Sequence, residues 1–251
     1  MDFTGRVALI TGGGSGIGQA TAHLFARRGG SLFIADIDAQ KAKGTADAIT
    51  RAGGRAEIGQ CDVTQAVDVQ AAFETAERLF GRLDVVVHCA GILRARRIED
   101  STEAEWDEVI RVNLHGAFLV TRAAMAALRR HGGGSILHMA SRMSIRVKEE
   151  HGAYAAAKAG VMQLTRMAAL EGAPTIRANC VLPGFVDSPM TRGSGPKADV
   201  DAQFAGWARV CPLGRAGTPE DVAKAICFLV SDDAAFITGA AIPVDGGRTI
   251  L

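Results

Sequence analysis

The sequence predicts one α/β domain on a doubly wound parallel sheet of about seven strands, and three observations predict it. Short β-branched or apolar runs alternate with longer helical patterns through all 251 residues. Some runs, such as "VVVHCA", are almost wholly apolar, which suits central strands covered on both faces. The first run leads through a glycine-rich turn straight into a helix. Strand–helix alternation of this kind implies helices on both faces of the sheet. About 250 residues is a normal length for one such unit, here 1–251.

In chain order the strands are "RVALIT" (6–11), "SLFIAD" (31–36), "RAEIGQC" (55–61), "LDVVVHC" (83–89), "SILHMAS" (135–141), "IRANCVL" (176–182) and "AAIPVDG" (240–246). The helices between them are 17–29, 39–52, 65–80, 102–130, 153–171 and 218–230. Asp38 is the placed cap for the second helix. Arg129 and Arg130 close the fourth, where cations favour a helix C-terminus. The fifth has good helix formers and no proline before Pro174. The least regular stretch is 183–217, rich in Gly, Pro and Ser, with a short amphipathic piece at 199–208. Phe204, Trp207 and Val210 need something to pack on there, so 185–215 reads as a lid over a site.

Bulk composition excludes several roles. Hydrophobic content of 48% can bury a large core. The charge balance, 28 basic against 27 acidic residues, leaves no basic face for nucleic acid. The Arg94–Arg97 cluster is too short to change this. Cys61, Cys89, Cys180, Cys211 and Cys227 form no CxxC pair; they read as buried free thiols in a reducing compartment. No metal-ligand set is apparent. The N-terminal residues lack the pattern of a secretory signal, and no apolar run approaches the ~20 residues of a membrane span. The reading is a soluble, cytoplasmic protein.

"TGGGSGIG" (11–18) follows a strand and opens a helix. Gly12, Gly16 and Gly18 let the chain turn tightly and bring backbone N–H groups to a pyrophosphate at a positive helix end. Asp36 ends the next strand, 18 residues after Gly18, near the ~20-residue separation expected of a carboxylate that grips an adenosine ribose. Its charge repels a 2′-phosphate, and Ser15 stands where a phosphate-pairing cation could have been. Both favour NAD over NADP.

Tyr154 is the one tyrosine of the chain, set among alanines with Lys158 one helical turn on. A free phenol, pKa roughly 10, is a poor base at neutral pH. An ammonium at ~4 Å contributes about 4 kcal/mol at an effective dielectric of ~20, enough for about three pKa units against the cost of burial. The pair suits general acid–base chemistry. On spacing alone, a half-buried tyrosine beside a solvated lysine is equally open.

"YAAAK" in this setting resembles the Tyr-x-x-x-Lys of the short-chain dehydrogenase/reductase family, and five further stretches agree in order and distance. They are "TGGGSGIG", "CAG" (89–91), "RVNLHGAF" (111–118), "HMAS" (138–141) and "LPGFV" (182–186), so the resemblance spans essentially the whole chain. It implies a catalytic tetrad of Asn113, Ser141, Tyr154 and Lys158. Tyr154 exchanges the proton and Ser141 positions the reacting oxygen. Lys158 lowers the phenol pKa and holds the nicotinamide ribose. Asn113, at a break in the long helix, anchors a water. It also implies dinucleotide contacts from Gly12, Ser15, Gly16, Ile17, Gly18, Asp36, Asp62, Val63, Ala90, Gly91, Tyr154, Lys158, Pro183, Gly184, Val186 and Ser188. Bland readings stand beside these: Asp62 as a cap for the helix near Gln65, Asn113 as a helix-kink satisfier.

Three positions depart from the family pattern. Cys89 replaces an asparagine that ties strands together, Ser144 stands where glycine is frequent, and "EGAPTIR" is one residue short. Substrate contacts are expected from the segments around Ile92, Leu93 and Arg94, around Arg142, Met143 and His151, and from Phe185, Val186 and Trp207. Arg94, Arg142 or His151 could hold a polar or anionic substrate group, and solvated loop cations are an equal alternative. The resemblance implies an NAD-dependent oxidoreductase for a secondary alcohol and a ketone, assembled as a homo-oligomer, usually a tetramer. Two alternatives are an NADP-dependent 3-oxoacyl-carrier reductase and a catalytically silent dinucleotide sensor.

Overall fold

The computed structural model describes residues 1–193 and 200–251; residues 194–199, inside the segment read as a lid, lie outside the described residues. The elements run β1 (Val7–Thr11), α1 (Gly16–Arg27), β2 (Ser31–Asp36), α2 (Ala39–Arg51), β3 (Arg55–Gln60), α3 (Ala66–Phe80) and β4 (Val85–His88). Then come α4 (Glu103–Ile110), α5 (Gly116–Arg130), β5 (Gly134–Met139), α6 (Gly152–Gly172) and β6 (Ile176–Pro183). The chain finishes through α7 (Pro189–Arg192), α8 (Val200–Arg209), α9 (Pro219–Val230) and β7 (Ala241–Val244).

The seven strands lie in the order β3-β2-β1-β4-β5-β6-β7, and each neighbouring pair is parallel. The chain winds outward from β1 to β3, then crosses to β4 and winds the other way. The reversal leaves a crevice beyond the C-terminal ends of β1 and β4, where open α/β sheets bind ligands. Register brings Thr11 opposite His88 and His88 opposite His138 at that end.

Alternation along each strand feeds two core layers. Ala8 and Ile10 pack on one face with Phe25, Leu137 and Ile226. Val7 and Leu9 pack on the other with Phe33, Phe73, Val86 and Leu128. A small third cluster, including Ala117, Ala140, Val161 and Leu182, lies with α6. β1 and β4 are buried along their whole length, as their apolar runs required.

Helix ends follow local chemistry. Asp38 caps α2 by accepting from Gln40 N and Lys41 N. Thr102 and Glu105 form a reciprocal capping box on α4, and Thr218 with Asp221 does the same on α9. The stretch read as one helix, 102–130, is interrupted by a π-helical turn over Arg111–His115. Such bulges leave main-chain carbonyls needing other partners. Asn113 supplies one, donating from Nδ2 to Val109 O at 3.0 Å.

Four of the five thiols are buried, but Cys89 is only half-buried. Thr11 Oγ1 meets His88 Nδ1 at 2.8 Å, and Cys89 N donates to Thr11 O at 3.1 Å. His138 is hydrogen-bonded on both ring nitrogens, to Thr121 and Thr165. Burial and the nearby charge of Lys158 push His138 down to about 4, and burial, His138 and Lys158 push His88 the same way. Both rings are therefore neutral at physiological pH.

Candidate active site

One cleft of about 410 Å³ opens beyond the C-terminal strand ends, and every residue that the sequence assigns to the dinucleotide lines it. Its floor is the glycine turn between β1 and α1. Gly12 has φ +66°, which L side chains rarely adopt, and an added Cβ would stand 2.7 Å from Ala90 N. A Cβ on Gly18 would overlap the Gly12 carbonyl oxygen and lie 2.8 Å from its carbon. Bare backbone is required here because helix and turn touch. Ser15 is the N-cap of α1 and makes no side-chain cap bond, so its hydroxyl is uncommitted. An uncluttered turn at a helix N-terminus, with a spare hydroxyl, fits the diphosphate of a dinucleotide.

Asp36 lines the cleft from the end of β2. Its oxygens are more occupied than the sequence implied: Oδ2 accepts from Gly14 N at 2.9 Å and Oδ1 from Asp38 N at 3.0 Å. These bonds fix the carboxylate, and each oxygen keeps acceptor capacity for a ribose hydroxyl. Asp62 Oδ1 takes Thr64 N at 2.9 Å, and the N-cap of α3 is Gln65, so Asp62 is not the cap of that helix.

The catalytic candidates converge from three elements. Ser141 follows β5 and accepts from Met143 N at 3.1 Å, starting a short 3-10 turn over Arg142–Ser144. Tyr154 and Lys158 sit one turn apart on α6, and Ser141 is close enough to the Tyr154 phenol to favour its ionised form. The Lys158 ammonium is buried and donates to Met139 O at 2.8 Å. Asn113 Nδ2 also donates to Ile92 O at 2.9 Å. Asn113 Oδ1 is buried with no hydrogen-bond partner among the described residues. A methyl added to Gly91 would stand 2.6 Å from that oxygen and 3.3 Å from Lys158 Nζ. Gly91 is therefore the gap across which Asn113 and Lys158 face each other. Ser144, the departure noted above, adds a link: its hydroxyl donates to Lys158 O at 2.8 Å and accepts from Ser141 N at 3.4 Å.

One expectation needs correction. The ammonium lies 5.6 Å from the centre of the Tyr154 ring and is hydrogen-bonded to Met139 O, not to the phenol. Burial raises the phenol above its ordinary value, and only the neighbouring Ser141 opposes it. Burial also lowers Lys158 to about 8. Desolvation therefore outweighs the lysine in the ligand-free protein, and Tyr154 holds its proton at neutral pH.

The proposed substrate contacts divide. Arg94 pairs with Glu108, its guanidinium donating to both carboxylate oxygens at 3.0 Å. Arg142 and His151 are buried, and the His151 Nδ1–H donates to Glu149 O at 2.7 Å. Phe185 and Trp207 stack at 4.6 Å, and Phe204 meets Trp207 edge-on at 4.7 Å, so the aromatic residues of 183–217 do pack together. None of these five lines the cleft itself. Sequence reasoning missed Ile37, Glu108, Val112, Met190 and Thr191, which do. Glu108 and Val112 are four apart on one helical face, a spacing that offered a signal.

Comparison with known proteins agrees with this geometry. The family model described as enoyl-(acyl carrier protein) reductase matches residues 12–249. The chain is 42% identical to cis-4-hydroxycyclohexanecarboxylate dehydrogenase of Sinomonas cyclohexanicum over 99% of this chain and 98% of that one. It is 38% identical to a 3-oxoacyl-[acyl-carrier-protein] reductase of Thermotoga maritima over 100% of both. The crystal structure of a levodione reductase superposes with a TM-score of 0.92 at 32% identity, covering 99% of each chain. Full-length matches to dehydrogenases and reductases, on a parallel sheet whose cleft is lined by Ser141, Tyr154 and Lys158, make this chain a member of the short-chain dehydrogenase/reductase family.

Proposed function

We propose that the protein is an NAD-dependent oxidoreductase that interconverts a secondary alcohol and a ketone. The observation that carries this reading is that Ser141 and Tyr154 bring their hydroxyls to the wall of one cleft, with the buried Lys158 ammonium one helical turn on. A nicotinamide dinucleotide held along the glycine turn supplies the two-electron chemistry. Ser141 donates to the substrate oxygen and orients it. Tyr154 gives its proton to that oxygen in ketone reduction and takes it back in alcohol oxidation. With its phenol raised by burial, Tyr154 is ready as an acid. Its use as a base calls for added positive charge beside the ring. Asn113 and Lys158, facing across Gly91, are suited to pass the proton outward. Asp36 supports NAD, because a fixed carboxylate at the ribose edge repels a 2′-phosphate.

The NADP-dependent 3-oxoacyl-carrier reductase is the second reading, favoured by the Thermotoga relative. The sensor reading has no feature in its favour, since the proton-transfer groups are all present. The wider proposal includes a cytoplasmic homo-oligomer, a tetramer on the family pattern, with 185–215 as a substrate lid. No helix among the described residues is long and apolar enough to cross a membrane.

The experiment is a panel of secondary alcohols, including cyclohexanol and cis-4-hydroxycyclohexanecarboxylate, and their ketones, followed by dinucleotide absorbance with NAD(H) and NADP(H) in parallel. We expect turnover with kcat/KM at least ~10-fold higher for NAD, about 1.4 kcal/mol. Equal or better use of NADP overturns the cofactor assignment, and activity confined to 3-oxoacyl carriers favours the second reading.

A further inference from the structure

The loops that deliver the catalytic hydroxyls also deliver a buried cation. Arg142 directly follows Ser141, and its side chain is almost enclosed, at 8% exposure. Among the described residues it has no ion pair and no side-chain hydrogen bond; its one specific contact is the face of Phe185, 5.2 Å from guanidinium carbon to ring centre. Arg177 shows what a structural arginine does in this chain. Half-buried, it donates to Leu229 O, Ile237 O and Ser231 O. Arg142 satisfies nothing comparable. None of its nitrogens is among the buried atoms that lack a partner, so the small exposure that Arg142 keeps lies at the guanidinium, where an arriving anion can reach it.

Its neighbours increase the demand. The charges acting on Arg142 come from Arg248, Asp245 and Arg146. Arg248 Nε is itself buried with no partner. Arg146 ties the loop to the C-terminal turn through Thr249 O, at 3.0 Å from Nε and 2.6 Å from an outer guanidinium nitrogen. Asp245, the sole acid among those charges, is already engaged: it accepts from Gly247 N at 3.0 Å, from Thr249 N at 2.6 Å and from the Thr249 hydroxyl. His151 approaches from the other loop, three residues before Tyr154, and burial keeps it neutral. The charges near Arg142 are therefore two further guanidiniums and one carboxylate that is already committed.

We propose that Arg142, backed by Arg248, anchors an anionic group of the substrate, a carboxylate, on the side away from the oxygen that meets Ser141 and Tyr154. The inference rests on the dehydrogenase reading above and narrows its substrate class to hydroxy acids and their oxo acids. Neither Arg142 nor Phe185 lines the cleft, but each directly follows a residue that does, Ser141 and Gly184, and the two side chains meet. A carboxylate there takes both guanidinium N–H groups in a fork and fixes the distance to the reacting carbon.

The test compares cis-4-hydroxycyclohexanecarboxylate with cyclohexanol, which differ by the carboxylate. Wild type should oxidise the acid with kcat/KM at least ~10-fold higher, through KM. Arg142→Gln should lose at least ~10-fold more on the acid than on cyclohexanol, and Arg248→Gln should lose part of the preference. A structural role for Arg142 would instead depress both substrates alike. No preference in wild type, or equal losses, overturns the anchor while leaving the dehydrogenase reading intact. Should neither alcohol react, the dehydrogenase reading fails for ring alcohols, and calorimetry with the hydroxy acid decides the anchor. Binding to wild type that weakens at least ~10-fold in Arg142→Gln or Arg248→Gln sustains it; absent or unchanged binding overturns it. Arg248→Gln keeps the test open if the buried substitution prevents folding.

Discussion

Tyr154→Phe should lower kcat by ~10³-fold or more, about 4 kcal/mol of transition-state stabilisation, while the Kd for NAD changes by no more than about threefold. The substitution removes one oxygen and keeps the ring against which Lys158 packs at 5.6 Å. Lys158 keeps its bond to Met139 O, and the glycine turn is untouched. A proton-transfer role therefore predicts loss in turnover alone. Residual activity within tenfold of wild type would remove Tyr154 from the chemistry, and parallel loss of NAD binding would make it a cofactor contact. Kinetics beside dinucleotide fluorescence on the same preparation separates these outcomes.

Gly18→Ala is expected to act at the other end of the cleft. Its methyl would overlap the carbonyl oxygen of Gly12, and the neighbouring atoms are backbone that no rotamer change can move. Either α1 shifts or the turn opens, and each draws the helix N-terminus away from a diphosphate. We expect NAD binding to weaken by at least ~10-fold and unfolding free energy to fall by about 1–3 kcal/mol, the range for overpacking a tight site. Gly44→Ala is the control: it lies in α2 with nothing within 4 Å of the added Cβ. It should be neutral or slightly stabilising, by up to about 1 kcal/mol. Unchanged NAD affinity in Gly18→Ala would mean that the turn does not hold the diphosphate. Calorimetry and thermal melts measure both quantities.

Periodicity made the sheet legible. All seven strands stand where they were read: β1 and β4 are buried apolar runs with little polar sequence to obscure them, and the edge strand β3 shows instead as an alternation of exposed and half-buried residues. The break in the long helix at Asn113 came from the family resemblance; its form, a π turn, follows from main-chain hydrogen bonding, which no periodicity records. Local motifs named the cleft residues, since turn glycines and strand-end acids act through the backbone next to them. What failed was distance between side chains. An (i, i+4) spacing put Lys158 near Tyr154, yet the ammonium's choice of Met139 O depends on β5, far along the chain. Arg94 and Arg142 looked alike in the sequence. Glu108 neutralises one, and enclosure isolates the other.

The account stands on a phenol whose acidity is changed by what binds beside it. Because the chain has a single tyrosine, tyrosinate absorbance reports Tyr154 without ambiguity. Titrated alone, the protein should ionise above the free-phenol value, since burial outweighs the effect of Ser141. Titrated with saturating NAD⁺, the midpoint should fall by at least ~1 pH unit, about 1.4 kcal/mol of favourable charge interaction. A midpoint that does not move when NAD⁺ binds, or that rises, would contradict the proposal that Tyr154 becomes the proton acceptor in the complex.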